Sequence, residues 1–336
     1  ATDTVLEVKD RLPIHIGFDW DNFGSRYIEK ERYTIRLTHN NLLGLDDKLT
    51  FQYQLAQDSR YFLKSIRYLM PIGSNLELCS IMNAKSGRCS QDCKFCAQAI
   101  RHLTGITAYP LKKKEEMIES ARRAKEIGAG RFDIVTSGDR ISKEELNVIA
   151  DAVWEITNKI GIKMCASLGQ MNEDELVLLK KAGLSRYHHN LETSPNYFTK
   201  IVTTHTFHDR INTIRAAKKA GLEVCSGGII GMGETLNDRI EMALWLKKVG
   251  VDSVPINILV PIKGTPLETQ EPLSCIEAIK AIALFRIILK DKIIKIAAGR
   301  ESILNDFQAM AFMAGANGML IGGYLTIKGR EVEQDR

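Results

Sequence analysis

The chain has 336 residues, 44% of them hydrophobic and 26% charged, with 25 glycines and eight prolines. This excludes the disordered, collagen-like and coiled-coil classes and leaves a globular protein able to bury a large core. The net charge of +5 is dispersed along the chain, so no basic tract argues for a nucleic-acid partner. No apolar run approaches the roughly 18 residues of a membrane helix, and the N-terminal ATDTVLEVKD has no signal-peptide pattern.

Composition divides the chain near residue 76. Residues 1–76 carry no cysteine but ten of the 23 aromatic residues, and their ten basic and ten acidic side chains cancel. The stretches RYTIRLTHN, KLTFQYQLAQ and YFLKSIRYLM alternate with a period close to two, separated by turn-rich NNLLGLDD and QDSR. That pattern predicts a short antiparallel β meander.

From residue 77 onward the period changes. KKEEMIESARRAKEIG, SKEELNVIADAVWEITNKIG, NEDELVLLKKAG, FHDRINTIRAAKKAG, TLNDRIEMALWLKKVG, SCIEAIKAIALFRIIL and NDFQAMAFMAG each space apolar residues three and four apart, as helices do. Gly128, Gly161, Gly183, Gly221, Gly250 and Gly315 stand where left-handed C-terminal caps are needed. A β-prone run follows most of them: RFDIVTS, IKMCASL, SRYHHNL, LEVCSGGII, DSVPINILV, KIIKIAA and GMLIGG, with LELCSIM ahead of the first helix. About eight strands joined by helices predict a TIM-type (βα)8 barrel over 77–336, with a doubly wound open sheet as the alternative. In such a barrel the polar residues just after each strand are the functional candidates.

Cys89, Cys93 and Cys96 form a CxxxCxxC triad in RCSQDCKFCAQ, after the first predicted strand. Three thiolates bind three irons of a four-iron cluster and leave the fourth open, whereas a closed zinc site wants a fourth protein ligand. Zinc or a disulfide loop is the alternative reading. The triad at the top of the first strand of a βα barrel, with Phe95 before its last cysteine, resembles the radical S-adenosylmethionine superfamily. That resemblance implies a 4Fe–4S cluster whose open iron holds S-adenosylmethionine and whose electron generates a 5′-deoxyadenosyl radical.

Further motifs narrow the likeness. HHNLETSP, VCSGGIIGMGE, SVPINILVPIKGTPL, AAGRE and AMAFMAGAN resemble the biotin synthase family from about Cys79 to Lys328. The resemblance implies insertion of sulfur into dethiobiotin, with the sulfide drawn from an auxiliary cluster, 2Fe–2S in the common type, deep in the barrel. It also implies a flavodoxin- or ferredoxin-type reductant and a homodimer. Position by position it assigns Asn190, Glu192, Arg210, Ile229 and Val260 to S-adenosylmethionine and His188, Asn190 and Asn257 to the substrate. Gly231 and Gly233 are candidates for close backbone approach to the cofactor, or turn glycines. His188 and His189 are adjacent, so strand alternation predicts that they point to opposite faces and do not share a metal.

The auxiliary ligand set departs from the common pattern. Cys165 and Cys225 match, but Asp133 stands where a third cysteine belongs and Lys295 replaces an arginine; His188 replaces an asparagine and Glu192 an aspartate. Cys79, on the predicted first strand, can point inward with Cys165 and Cys225. These three thiols, with Asp133 as an oxygen ligand, are the expected auxiliary metal site; a buried inert thiol is the alternative for Cys79. Cys275 reads as a packing residue. Seven thiols, an odd number, suit a reducing cytoplasm.

Two other functions stay open at this point. One is a radical isomerase or hydrogenase-maturation enzyme on the same barrel, favoured by Asp133 and Lys295. The other is an inactive chimera: DNFGSRYIEKERYTIRL, NNLLGLDDKLTFQY and RYLMPIGSN resemble the first strands of a two-partner-secretion outer-membrane transporter. That segment is too short to close a pore and predicts a foreign or fused piece joined near Ser74 to Glu77. A small soluble β cap is its alternative.

Overall fold

The computed structural model describes residues 13–21, 31–40, 48–56, 62–69 and 76–322. The expected turns in NNLLGLDD and QDSR, the junction at Ser74 and the end of the chain beyond Gly322 lie wholly or largely outside these residues. The chain divides into two compact units, Ala1–Ser74 and Asn75–Arg336.

The first unit holds four antiparallel strands in sequential order, β1 (Ile14–Asp21), β2 (Arg32–Asn40), β3 (Lys48–Ala56) and β4 (Phe62–Leu69). The sequence reading found three of them; β1 is additional, its alternation of Ile14, Ile16, Phe18 and Trp20 interrupted by Gly17. Opposed residues share a face, and the register sets Ile16 opposite Leu37, Phe18 opposite Ile35, Trp20 opposite Tyr33 and Leu37 opposite Phe51. These side chains form one continuous apolar face and are all exposed. The other face is polar, with an Asp19–Arg36 ion pair and a Gln54 to Thr34 hydrogen bond of 3.0 Å.

The second unit is a closed parallel barrel. Its strands are β5 (Glu77–Lys85), β6 (Arg131–Thr136), β7 (Lys163–Ser167), β8 (Arg186–His188), β9 (Glu223–Cys225), β10 (Gly228–Ile230), β11 (Ser253–Ile258), β12 (Ile293–Ile296) and β13 (Gly318–Leu320). β13 pairs with β5, and both β9 and β10 pair with β11, so β9 and β10 are two halves of one barrel strand and the count is eight. The break falls at Ser226–Gly227 because the backbones crowd there. A Cβ on Gly227 would stand 1.9 Å from the Pro255 carbonyl oxygen, and one on Gly228 2.5 Å from that of Glu192.

Helices α1 (Lys114–Glu126), α2 (Lys143–Glu155), α3 (Glu173–Lys181), α4 (Pro195–Ile201), α5 (Phe207–Lys219), α6 (Leu236–Val249), α7 (Cys275–Leu289), α8 (Arg300–Ile303) and α9 (Gln308–Met313) connect the strands. All six predicted cap glycines have positive φ, between 69° and 109°. Capping boxes start α2, α3, α5 and α6, through Ser142, Asn172, Thr206 and Thr235. Cys275 opens α7 and packs, half-buried, against the core. No helix among the described residues is long and apolar enough to cross a membrane.

Candidate active site

The loops after the C-terminal ends of the barrel strands surround one pocket, and a cavity of about 360 Å³ continues from it into the barrel. Phe95, Cys96, Ser167, His188, Asn190 and Glu192 line both, so the two spaces meet there.

The triad sits in the loop after β5, turned by positive φ at Gly87 and Arg88. The Cys89 amide donates to the Gln98 carbonyl at 3.0 Å and the Cys96 amide to the Cys93 carbonyl at 2.9 Å. Cys89, Cys93 and Cys96 all line the pocket as free thiols. Burial pushes the Cys93 thiol up to about 12 and the Cys96 thiol to about 11, so both stay protonated until a metal displaces the proton. Among the described residues no three His, Cys, Asp or Glu side chains stand close enough to share one metal ion. Three cysteine thiols on one loop are the donor set by which an iron–sulfur cluster is held.

Facing the triad are Asn190, Glu192 and Arg210. Glu192 has φ +69°, a left-handed conformation uncommon outside glycine. Its carbonyl accepts the Ile229 amide at 2.8 Å, and this strained turn aims the carboxylate into the pocket. Arg210, on the first turn of α5, donates to the Asn190 carbonyl at 3.0 Å and stands 3.5 Å from Glu192. Arg210 Nε and Glu192 Oε2 are buried without a hydrogen-bond partner, so each member of this ion pair keeps one atom, a donor and an acceptor, for a ligand. Ile229 and Val260 line the cavity. Asn257 also lines it, with Nδ2 on the Gly228 carbonyl at 3.2 Å and Oδ1 accepting the Ala298 amide at 3.1 Å. Gly231 and Gly233, with φ +91° and +98°, shape the loop after β10.

Deeper in the cavity lie Cys79, Asp133, Cys165, Cys225 and Lys295. Lys295 Nζ is 3.4 Å from Cys79 Sγ and 3.5 Å from Glu77 Oε1. Burial raises Cys79 to about 11 and pushes Cys165 up further. Burial acts the same way on Cys225, but the charges of Lys295, His188 and Arg186 outweigh it and bring this thiol below its ordinary value. Asp133 Oδ2 accepts from His188 Nδ1 at 3.0 Å, and Asp133 Oδ1 is buried without a partner. Three free thiols and one orphaned carboxylate oxygen form a donor set suited to an iron–sulfur group.

Two features were not foreseen. β8 ends at His188, and although His188 bonds Asn190 and His189 stacks on Tyr187, the two opposite directions that alternation predicts, both imidazoles border the pocket. Below the cavity, Glu77 collects Arg131 Nε at 2.9 Å and Arg186 Nη1 at 2.6 Å, and Glu223 accepts Arg131 at 2.8 Å and Arg186 at 2.9 Å. Arg131 and Arg186 are buried, and their position at the first residue of apolar strands was the signal for this charged floor.

Comparison with known proteins decides the family. The radical SAM superfamily model matches residues 84–246, and the Biotin and Thiamin Synthesis associated domain matches 255–336. The biotin synthase of Thermotoga neapolitana is 57% identical over 264 residues, covering 78% of this chain and 94% of that protein. The chain belongs to the biotin synthase family. Membership carries the 4Fe–4S cluster and S-adenosylmethionine of the radical SAM superfamily, which the triad and the Glu192–Arg210 pair fit. Among solved structures, methylornithine synthase superposes with a TM-score of 0.68 at 22% identity, over 77% of this chain and 80% of that one. The FeFe-hydrogenase maturase of Carboxydothermus hydrogenoformans does so with 0.65 at 20%, over 76% and 62%. These two show the barrel fold, and the isomerase or maturase reading has no support beyond it.

Proposed function

We infer that the chain is a biotin synthase, converting dethiobiotin to biotin by radical sulfur insertion. The observation that carries this reading is one continuous space with a thiol triad at its mouth, three further thiols at its depth and Asn190 where the two meet. When bound, the triad's cluster supplies the electron that cleaves S-adenosylmethionine to a hydrogen-abstracting radical, and the deeper cluster supplies the sulfur.

The protein's own residues bind, orient and exclude. Cys89, Cys93 and Cys96 hold the first cluster. Arg210 takes the carboxylate of S-adenosylmethionine through its guanidinium fork, Glu192 its ribose hydroxyls, and Ile229 and Val260 pack on the adenine. Asn190 Oδ1 accepts the Gly227 amide at 3.1 Å and faces His188 Nε2 at 3.0 Å. That leaves its Nδ2 hydrogens to donate to the carbonyl oxygen of the cyclic urea. Cys79, Cys165 and Cys225 hold the auxiliary cluster with Asp133 Oδ1, while Lys295 donates to Cys79 and neutralises thiolate charge. The reading calls for a flavodoxin- or ferredoxin-type reductant, a reducing cytoplasm and a homodimer, and it treats residues 1–76 as a separate fused segment.

Anaerobic reconstitution followed by incubation with dethiobiotin, S-adenosylmethionine and a reductant tests it. Biotin and 5′-deoxyadenosine are expected together; 5′-deoxyadenosine without any thiolated product overturns the reading. Iron and sulfide counts on Cys79→Ala test the auxiliary ligands, with loss of the second cluster expected and unchanged counts contrary to it.

A further inference from the structure

The cluster loop is tied to a segment far away in sequence. Between the first two cysteines of the triad, the Asp92 carboxylate accepts from four donors on two consecutive threonines. The Thr203 amide donates at 2.9 Å and the Thr204 amide at 3.2 Å, the Thr204 hydroxyl donates at 2.9 Å, and the Thr203 hydroxyl bonds the second carboxylate oxygen. The Asp92 amide in turn lies 3.2 Å from Thr204 Oγ1. On either side the contact continues: the Lys94 amide donates to the Ile201 carbonyl at 3.1 Å, and His205 Nδ1 meets Gln91 Oε1 at 2.7 Å. Four residues of the segment 201–205, Ile201, Thr203, Thr204 and His205, thus clasp Gln91, Asp92 and Lys94.

What makes this more than loop packing is where the two segments lead. Residues 91–94 carry Cys93 and run into Cys96. Residues 201–205 join α4 to α5, and α5 carries Arg210, five residues on, whose unpartnered Nε faces the same pocket as the triad. The pocket therefore has a cluster wall and an arginine wall, and Asp92 is the carboxylate at which they are joined. A charged acceptor with amide and hydroxyl donors makes bonds stronger than a neutral pair would, and ionised Asp92 leaves neither oxygen unused.

We propose that Asp92, with Thr203 and Thr204, is a positioning latch that sets the distance between the triad's cluster and Arg210, and so the fit of S-adenosylmethionine between them. The proposal rests on the assignment of the triad and Arg210 made above. Asp92 does not touch the cofactor; it acts through the two walls. Freed of the latch, the cluster loop opens more often, so iron becomes more accessible and the cofactor's two ends are held less well.

The experiment uses the full chain, reconstituted anaerobically, as wild type, Asp92→Ala, Thr204→Val and Thr204→Ser. Two quantities are read: the rate at which a ferrous chelator strips iron, and the KM for S-adenosylmethionine in 5′-deoxyadenosine formation. Asp92→Ala is expected to raise both by about tenfold, the weight of one charge-assisted hydrogen bond, with kcat changed less than KM. Thr204→Val is expected to do the same to a smaller degree and to add nothing to Asp92→Ala in the double variant, while Thr204→Ser, which keeps the hydroxyl, restores both quantities. Wild-type chelation rate and KM in Asp92→Ala overturn the latch, as does Thr204→Ser behaving like Thr204→Val. A wild-type chain that takes up no cluster at the triad instead overturns the assignment beneath it.

Discussion

Replacing Glu234 with alanine will destabilise the barrel by more than any single surface change, because three donors converge on this carboxylate inside the protein. Its side chain is 1% exposed and that of its partner Arg239 8%. Oε1 accepts the Gly231 amide and Arg239 Nε, both at 2.8 Å, and Oε2 accepts the Met232 amide at 2.7 Å. Truncation leaves the buried guanidinium with only the exposed Glu277 carboxylate, 4.0 Å from Nη1, and breaking a buried ion pair costs about 3–5 kcal/mol. The two amides lose their acceptor as well, but water entering the vacated volume partly satisfies them, so the costs do not add. A net loss of about 4 kcal/mol corresponds to a fall in Tm of roughly 8–16 °C for a unit of this size. Anaerobic differential scanning calorimetry of wild type and Glu234→Ala measures it. The paired variant Glu234→Leu with Arg239→Leu is expected to recover part of the loss, since it leaves no unpaired charge. A fall below about 3 °C in Glu234→Ala, or a paired variant less stable than the single one, would refute the reasoning. The effect reaches the site because Gly231 and Met232 continue the chain from Ile229 and Ile230, and Ile229 lines the cavity.

Three further outcomes are expected. Burial and the nearby Arg210 charge bring His205 down to about 4 from the ordinary 6.5. The unfolded chain therefore takes up this proton first, and stability is lost as pH falls from about 6.5 towards 4; pH-dependent urea unfolding of His205→Gln should show a shallower slope in that window, and an unchanged profile would count against the assignment. Gly227→Ala forces a Cβ to within 1.9 Å of the Pro255 carbonyl oxygen, so it should unfold well below wild type by circular dichroism. Gly130→Ala, whose nearest contact is 3.8 Å, should stay within about 1 kcal/mol of wild type. Arg210→Lys keeps the charge but loses the fork, and should raise the KM for S-adenosylmethionine by about tenfold with the triad's iron count unchanged; an unaltered KM would remove Arg210 from the cofactor site.

The helices were legible because their signals are local: a 3.6-residue period, a capping box and a glycine at the end are all written within one segment. The same holds for α4, which sequence reading passed over although Ser194 caps it and Pro195 opens it. Strand ends were less legible. The apolar run LEVCSGGII reads as one strand, yet it splits into β9 and β10 because the carbonyl of Pro255, on a different strand, occupies the space a regular strand would cross. The triad was legible for the same reason as the helices, its ligands lying within eight residues. The charged floor was legible only through Arg131 and Arg186 at the heads of apolar strands, and the Asp92 latch not at all, since Glu77 meets Arg186 across 109 positions and Asp92 meets Thr203 across 111. Nothing in either segment alone announces its partner.

The departures from the common family pattern gain a physical sense once their partners are known. Read singly, Asp133, His188, Cys79 and Lys295 are four unrelated substitutions. In the structure they are two contacts: Asp133 Oδ2 with His188 Nδ1 at 3.0 Å, and Lys295 Nζ with Cys79 Sγ at 3.4 Å. A carboxylate placed alone on the inner face of β6 would be a buried charge without a partner, the kind of change a barrel interior tolerates least. His188 on β8 supplies that partner, whereas the Lys295 ammonium on β12 has the Glu77 carboxylate at 3.5 Å as its counter-charge and Cys79 on β5 as a further acceptor. Three thiols, Cys79 on β5, Cys165 on β7 and Cys225 on β9, line the cavity with these two contacts between them.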